Sequence, residues 1–352
     1  MKLSEKLALP FLHKLDPEKA HDLAHWALAK GLAPKPGIFS TPRIATHLAG
    51  MELPNPVGLA AGFDKNARVL HPLSQAGFGF LEIGAVTPRA QEGNRKPRLY
   101  RLSEDQAAIN RFGFNNEGME AVAERLANRP ANTIVGINLG ANRDSEHRNI
   151  DYIHVLEHCG PYVDFATINV SSPNTSNLRE LQRREALQNL AEGAIATRNS
   201  FERPIPIFLK IAPDLEDEEI AQIGQAAQHA HVDAIIATNT TIARNGLISE
   251  DKVQKGGLSG APLMAPSTRV LARLYTETGG EMPLIGVGGI ASATDAFTKI
   301  EAGATAIQLY TALIYHGLSL GDQIARELDQ LLLQKGYGHI SEAVGKNAKA
   351  YL

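Results

Sequence analysis

One cysteine, Cys159, stands among 352 residues, which excludes an internal disulfide and any Cys-x-x-Cys metal or redox centre. Its setting, Glu157-His158-Cys159-Gly160, admits a reactive-thiol reading, but a lone cysteine is more often a packed core residue. The interior of the cell is the expected compartment. Charge of one sign is also scarce: 35 Lys+Arg against 38 Asp+Glu leave a net −3, which offers nucleic acid no footprint. No apolar run approaches the ~18 residues that span a bilayer. The Leu7–Leu12 stretch behind Glu5 is too short for a signal peptide. Repeats and low-complexity tracts are missing too. What remains, 43% hydrophobic and 21% charged, is the composition of a globular protein with a sizeable core, in one large domain or two.

Residues 1–36 read as a separate helical unit. Leu3, Leu7, Phe11 and Leu15 recur every fourth residue, with Pro10 expected to break or bend that helix. Asp16 then suits an N-cap, Pro17 the first helical position and Glu18 the helix dipole. Ala20, Leu23, Ala24, Ala27 and Leu28 line one face, and Gly31 with Pro34 and Pro36 closes the element. Six lysines against four acids make this unit positive within a negative chain, and it holds the only tryptophan, Trp26. Such a hairpin fits a membrane surface, or a helical cap packed on the main domain.

From residue 54 onward, short β-rich runs alternate with helical stretches, the pattern of a parallel sheet with crossover helices. The expected strands are Pro56–Ala60, Phe80–Val86, Thr133–Leu139, Phe165–Val170, Ile205–Ile211, Ala234–Ala237, Leu284–Val287 and Ala306–Leu309. Eight strands close a (β/α)₈ barrel, here residues 37–352. An open doubly wound sheet is less suitable, because the first strand lacks a Gly-x-Gly-x-x-Gly turn.

Barrel enzymes work at the C-terminal ends of their strands, and these strands end in glycine or polar residues. In order they offer Ala61-Gly62-Phe63-Asp64-Lys65, Gly84-Ala85-Val86-Thr87, Asn138, Asn169, Lys210, Thr238-Asn239-Thr240, Gly288-Gly289 and Tyr310-Thr311. Taken singly, Lys210 is a solvated strand end and Asn138 a turn former. One shared pocket accounts for all eight together. Gly288-Gly289 allows backbone N–H groups close to an anion, and the ends of strands 7 and 8 form the usual barrel phosphate site. Lys65 and Lys210 favour a ligand that carries or develops negative charge. Metal-ligand spacing is not seen at the strand ends, so no metal is expected; His147, His154 and His158 fall on a helix-like stretch.

Asn169-Val170-Ser171-Ser172-Pro173-Asn174-Thr175 carries the densest set of neutral hydrogen-bonding side chains, and reads as a turn or as a pocket for an amide-rich ligand. Asn110-Arg111-Phe112-Gly113-Phe114-Asn115-Asn116 follows an expected hairpin, Pro97–Leu102 with Ala107–Asn110, inserted between the second and third units. It reads as a tight turn or as a cover over the pocket.

These segments, with Asn55-Pro56, Gly58 to Lys65, Lys210 to Asp214, Thr238 to Thr241, Gly256 to Gly260 and Gly286 to Gly289, resemble the dihydroorotate dehydrogenase family over nearly the whole chain. The resemblance implies an FMN-containing barrel that oxidises dihydroorotate to orotate in pyrimidine biosynthesis. It implies cofactor contacts from Ala61, Gly62, Phe63, Asp64, Lys65, Ala85, Asn138, Asn169, Lys210, Thr238, Gly260, Gly289, Tyr310 and Thr311. Substrate contacts follow for Lys65, Asn110, Arg111, Phe112, Gly113, Phe114, Asn169, Asn174, Asn239 and Thr240. Many relatives carry threonine where Ala85 stands; a backbone contact survives that change and a hydroxyl contact does not.

The resemblance also selects a branch. Cytosolic members use a cysteine base, whereas the membrane-associated, quinone-reducing class uses a serine, here Ser172. A hydroxyl is a weak base and needs a relay, Thr175 or a water. Ser171 is disfavoured because neighbouring side chains on an extended segment point to opposite sides. The helical extension then marks membrane attachment at a quinone entrance, on the cytoplasmic side, with His21, Arg101 and Tyr310 near the quinone. The competing functions are a soluble relative using fumarate or NAD, and a non-redox barrel that binds a phosphorylated ligand.

Overall fold

A computed structural model describes residues 2–175, 178–182 and 184–352. Val57–Leu59, Phe80–Val86, Val135–Leu139, Phe165–Asn169, Ile207–Ile211, Ala234–Ala237, Leu284–Val287 and Ala306–Leu309 close into an eight-stranded parallel barrel. Each strand pairs with its chain neighbour, and Leu309 opposite Leu59 closes the ring. All eight expected strands are present, some with shorter ends. Pro56 and Pro206 fall outside their ladders, as suits a residue with no N–H to donate.

Alternation along each strand separates two apolar sets. Ile137, Ile168 and Leu209 point outward and join the core formed with the surrounding helices. Phe80, Phe165 and Phe208 point inward and fill the barrel. The Phe165 and Phe208 rings stack at 4.8 Å, and Phe80 meets Phe165 edge-on at 6.1 Å. Each such aromatic pair contributes about 0.5–1.5 kcal/mol beyond its area burial. Glycines make the room. A Cβ on Gly58 would lie 2.3 Å from the Phe80 ring, and one on Gly136 would lie 2.1 Å from the Phe165 ring. An unexpected hairpin, Thr46–Leu48 with Met51–Leu53, adds Leu48 and Leu53 to this cluster.

At the other end, the expected hairpin forms as Leu99–Leu102 with Ala107–Asn110. A third strand, Gly257–Gly260, joins it from beyond the sixth barrel strand, with Gly257 opposite Asn110. Two glycines give that strand little propensity of its own. Close approach requires them: a Cβ on Gly257 would lie 2.0 Å from Thr240 Oγ1, and one on Gly260 2.4 Å from Gln106 O.

The amino-terminal segment forms two helices, Leu3–Leu12 and Pro17–Ala29. Pro10 does not interrupt the first, contrary to expectation; it removes one hydrogen bond in a helix that ends two residues later. Asp16 caps the second through the N–H groups of Glu18 and Lys19. Gly31, at φ +72°, ends it with the paired Gly31 N–H to Leu28 O and Leu32 N–H to Ala27 O bonds. Both helices are tied to the barrel's C-terminal end. The Glu5 carboxylate accepts from Ser319 N–H at 2.9 Å, Glu18 pairs with Arg98 at 2.8 Å, and a His25 ring nitrogen meets Phe63 O at 2.8 Å.

Candidate active site

A cavity of about 420 Å³ opens at the C-terminal end of the barrel and continues between the two amino-terminal helices. Its floor is a run of amides. Asn138 Nδ2 donates to the buried Glu82 carboxylate, and Asn138 Oδ1 accepts from Asn169 Nδ2 at 2.8 Å. Asn169 Oδ1 in turn accepts from Asn239 Nδ2 at 3.2 Å and from the Ser171 hydroxyl at 3.1 Å. Lys210 lies directly across the ladder from Asn169 and is buried, with its side chain lining the cavity.

The loop after the fourth strand divides its two serines as alternation requires. Ser172 lines the cavity, and its Oγ accepts from Asn174 N–H at 3.3 Å. Ser171 is fully buried behind it and bonded to Asn169 and Asn239. Asn174 Nδ2 donates to Asn110 Oδ1 at 3.2 Å, so the inserted hairpin completes the amide rim. A residue that no local pattern marks steadies this loop. Arg179 donates to Ser171 O, Asp214 Oδ2 and Thr240 O, at 3.1, 2.9 and 3.1 Å, and thereby clamps the ends of three successive strands.

Lys65 donates to Gly62 O at 2.8 Å and stands 4.3 Å over the Phe112 ring. Burial lowers its pKa to about 8, against a partly restoring attraction from Glu18. At the opposite wall, Gly288 and Gly289 have φ of +112° and +80°. A Cβ on Gly289 would lie 2.5 Å from Met264 Cα, at the start of the helix Met264–Glu277. This loop and helix start form a backbone cradle suited to an anion. Thr311 Oγ1 donates to Ser259 Oγ at 2.8 Å beside it.

The outer part of the cavity is apolar, lined by Ala8, Leu9, Leu12, Ala24 and Ala27. Polar residues interrupt it, among them His21, Arg101 and Tyr310. The His21 ring packs edge-on against Phe63 at 5.6 Å, and burial holds its pKa well below the usual value. Arg101 donates to His13 O at 2.9 Å, while its Nε is buried without a partner. Burial also raises the Tyr310 phenol.

Most of the expected site residues therefore meet in one space. Ser172, Lys65, Asn110, Phe112, Gly113, Phe114, Asn169, Asn174, Asn239 and Thr240 line the cavity, as do Ala61, Gly62, Phe63, Ala85, Asn138, Lys210, Thr238, Gly260, Gly289, Tyr310 and Thr311. Asp64 and Arg111 stand outside its lining. The buried Asp64 carboxylate accepts from Asn66, Arg68 and Val69 N–H groups and shapes the loop that carries Lys65. Arg111 turns outward to Gln254, Lys255 O and Pro97 O, bracing the inserted sheet. Cys159 is packed in the core, with burial raising its thiol to about 12.

A parallel barrel with a deep, amide-lined pocket at its C-terminal strand ends is the architecture of a (β/α)₈-barrel enzyme. The sequence model of the dihydroorotate dehydrogenase family matches residues 43–332, and the chain belongs to that family. It is 57% identical to a dihydroorotate dehydrogenase (quinone) of Cereibacter sphaeroides over the full length of both chains. A Rhodospirillum rubrum protein of the same name is 48% identical over 97% of this chain and 94% of its own. Among solved structures, an Eimeria tenella DHODH in complex with ferulenol superimposes with a TM-score of 0.91 at 38% identity, covering 94% of this chain and 96% of that one.

Proposed function

We propose that the cavity holds FMN and dihydroorotate at its barrel end and admits a membrane quinone through the gap between the amino-terminal helices. The carrying observation is that a single cavity joins the asparagine-lined barrel mouth to the apolar channel. Membership of the family makes the reaction the oxidation of dihydroorotate to orotate, a step of pyrimidine biosynthesis.

The residues fit the cofactor. The backbone cradle at Gly288-Gly289, where the absence of a Cβ on Gly289 lets Met264 at the helix start pack close, suits the phosphate, with Tyr310 and Thr311 beside it. When bound, FMN would supply the acceptor for the C6 hydride of dihydroorotate and the route by which its electrons reach quinone. Lys210 places a cation where negative charge develops on reduction. Asn110, Asn169, Asn174 and Asn239 offer donors and acceptors to the ring amides, and the Lys65 ammonium faces the substrate carboxylate. Ser172 Oγ removes the C5 proton as the hydride leaves C6, passing its own proton through Thr175 or a water.

Leu7, Phe11, Trp26 and Leu32 expose 74, 59, 54 and 64% of their surface on the hairpin, a patch suited to a lipid interface on the cytoplasmic side. Among the described residues no helix is long and apolar enough to cross a membrane; the proposed attachment is peripheral.

The test is spectroscopic. The purified protein should be yellow, dihydroorotate should bleach it without oxygen, and quinone should restore the colour where fumarate and NAD do not. A colourless protein, or reoxidation by fumarate or NAD, would refute the proposal.

A further inference from the structure

Lys299 lies in the helix Ala293–Glu301 and is fully buried. Its ammonium donates to Ser267 Oγ at 2.6 Å and to Met264 O at 3.3 Å, both uncharged. Asp295 attracts it only from a distance, and its Oδ2 accepts from the Ala291 N–H and the Ser292 hydroxyl. A buried cation without a paired anion is costly, and burial lowers the Lys299 pKa to about 7, so its ammonium form is favoured once a negative charge arrives nearby.

The position of Lys299 shows where that charge arrives. Ser267 Oγ, which receives the ammonium, also lies 3.2 Å from Gly288 O. A Cβ on Gly288 would stand 2.8 Å from the same hydroxyl. Lysine, serine and glycine loop are therefore stacked in contact, with the ammonium behind the cradle and the cavity in front. Met264, whose carbonyl is the second acceptor, begins the helix whose N-terminus completes the cradle.

We propose that Lys299 is a buried counter-charge for the phosphate held at Gly288-Gly289, acting through Ser267 and the loop without touching the ligand. This rests on the phosphate placement above. It makes Lys299 a positioning residue that selects a phosphorylated flavin over the same flavin without phosphate.

The test compares FMN with riboflavin, which lacks only the phosphate, by fluorescence titration of the flavin-depleted full chain. The wild type should prefer FMN strongly. Lys299→Met should weaken FMN by roughly 10–100-fold while leaving riboflavin within about two-fold, since the change acts on charge at a distance. Its flavin-free form should melt no lower than the wild type, because a desolvated cation has been replaced by an apolar chain of similar length. Ser267→Ala keeps the charge but removes its nearest acceptor, and should shift the FMN-to-riboflavin ratio in the same direction; it decides alone if Lys299→Met does not fold. An unchanged ratio overturns the role of Lys299. Equal wild-type affinities for the two flavins overturn the phosphate placement itself.

Discussion

Asn138 Nδ2 donates to Glu82 Oε1 at 2.6 Å inside the barrel, and this bond sets the direction of the Asn169 and Asn239 amides above it. Oε1 of Glu82 accepts this bond, so Asn138 turns its NH₂ downward and its oxygen up the barrel. That oxygen takes the Asn169 NH₂, which leaves Asn169 Oδ1 for Asn239 and Ser171. Gln308 Nε2 occupies the second Glu82 oxygen at 2.6 Å, so the carboxylate is held from both sides. The polarity of the pocket floor is thus fixed by a residue that does not line the cavity.

Replacing Glu82 with glutamine keeps the volume and removes that directional constraint, because an amide donates as readily as it accepts. The prediction is a roughly ten-fold weaker orotate complex, equivalent to one misdirected hydrogen bond of ~1.4 kcal/mol. Titration of the flavin absorbance with orotate measures it. Affinity equal to the wild type would show that Glu82 does not orient the floor.

Ser172→Ala removes the hydroxyl from the cavity wall and leaves the buried Ser171 and its bonds in place. Loss of a general base slows the chemical step by about 10²–10⁴-fold. Anaerobic stopped-flow should therefore show flavin reduction slowed by that factor, with flavin content unchanged. If Ser171→Ala instead abolishes reduction while Ser172→Ala is harmless, the roles are reversed.

The eight barrel strands were legible because each is a short apolar run ended by glycine or a polar residue, and the site was legible because those ends converge. Contacts between distant segments were not. Gly257–Gly260 becomes a strand only against Ala107–Asn110, about 150 residues earlier, and nothing local marks it. Arg179 reads as a charge in a helical stretch until Asp214 and Thr240 are brought to it. Lys299 follows a helical pattern and betrays nothing of its burial. Motif membership also hides where two side chains go: Asp64 and Arg111 sit inside pocket-forming segments, but their side chains brace the backbone around those segments.

Lys65 gives the site a pH dependence. Burial lowers its pKa from 10.5 to about 8, so the ammonium proposed to meet the substrate carboxylate is lost as pH rises through that value. Orotate affinity should fall across pH 7.5 to 9, a window taken from the shift to about 8, and Lys65→Met should flatten the profile. Stability moves the other way. Between about 8 and 10.5 the unfolded chain binds more protons at this lysine than the folded one, so its contribution to stability rises with pH. A profile in Lys65→Met that matches the wild type would assign the titration elsewhere.

Under the proposed membrane contact, changes on the hairpin surface separate chemistry from electron delivery. Phe11 and Trp26 are more than half exposed, while the helices that carry them are anchored through Glu5 to Ser319 and through Glu18 to Arg98. Substituting exposed positions away from those anchors changes stability within about 0.5 kcal/mol. Phe11→Glu with Trp26→Glu should therefore leave the melting temperature and anaerobic flavin reduction near wild type. Each buried carboxylate at a lipid interface opposes binding, so co-sedimentation with lipid vesicles should drop sharply. Turnover with a long-chain quinone dissolved in those vesicles should fall in step, whereas a short-chain, water-soluble quinone should be reduced at the ordinary rate. Equal loss with both quinones would place the defect in the channel lined by His21, Arg101 and Tyr310, and undiminished vesicle binding would remove these two residues from the membrane contact.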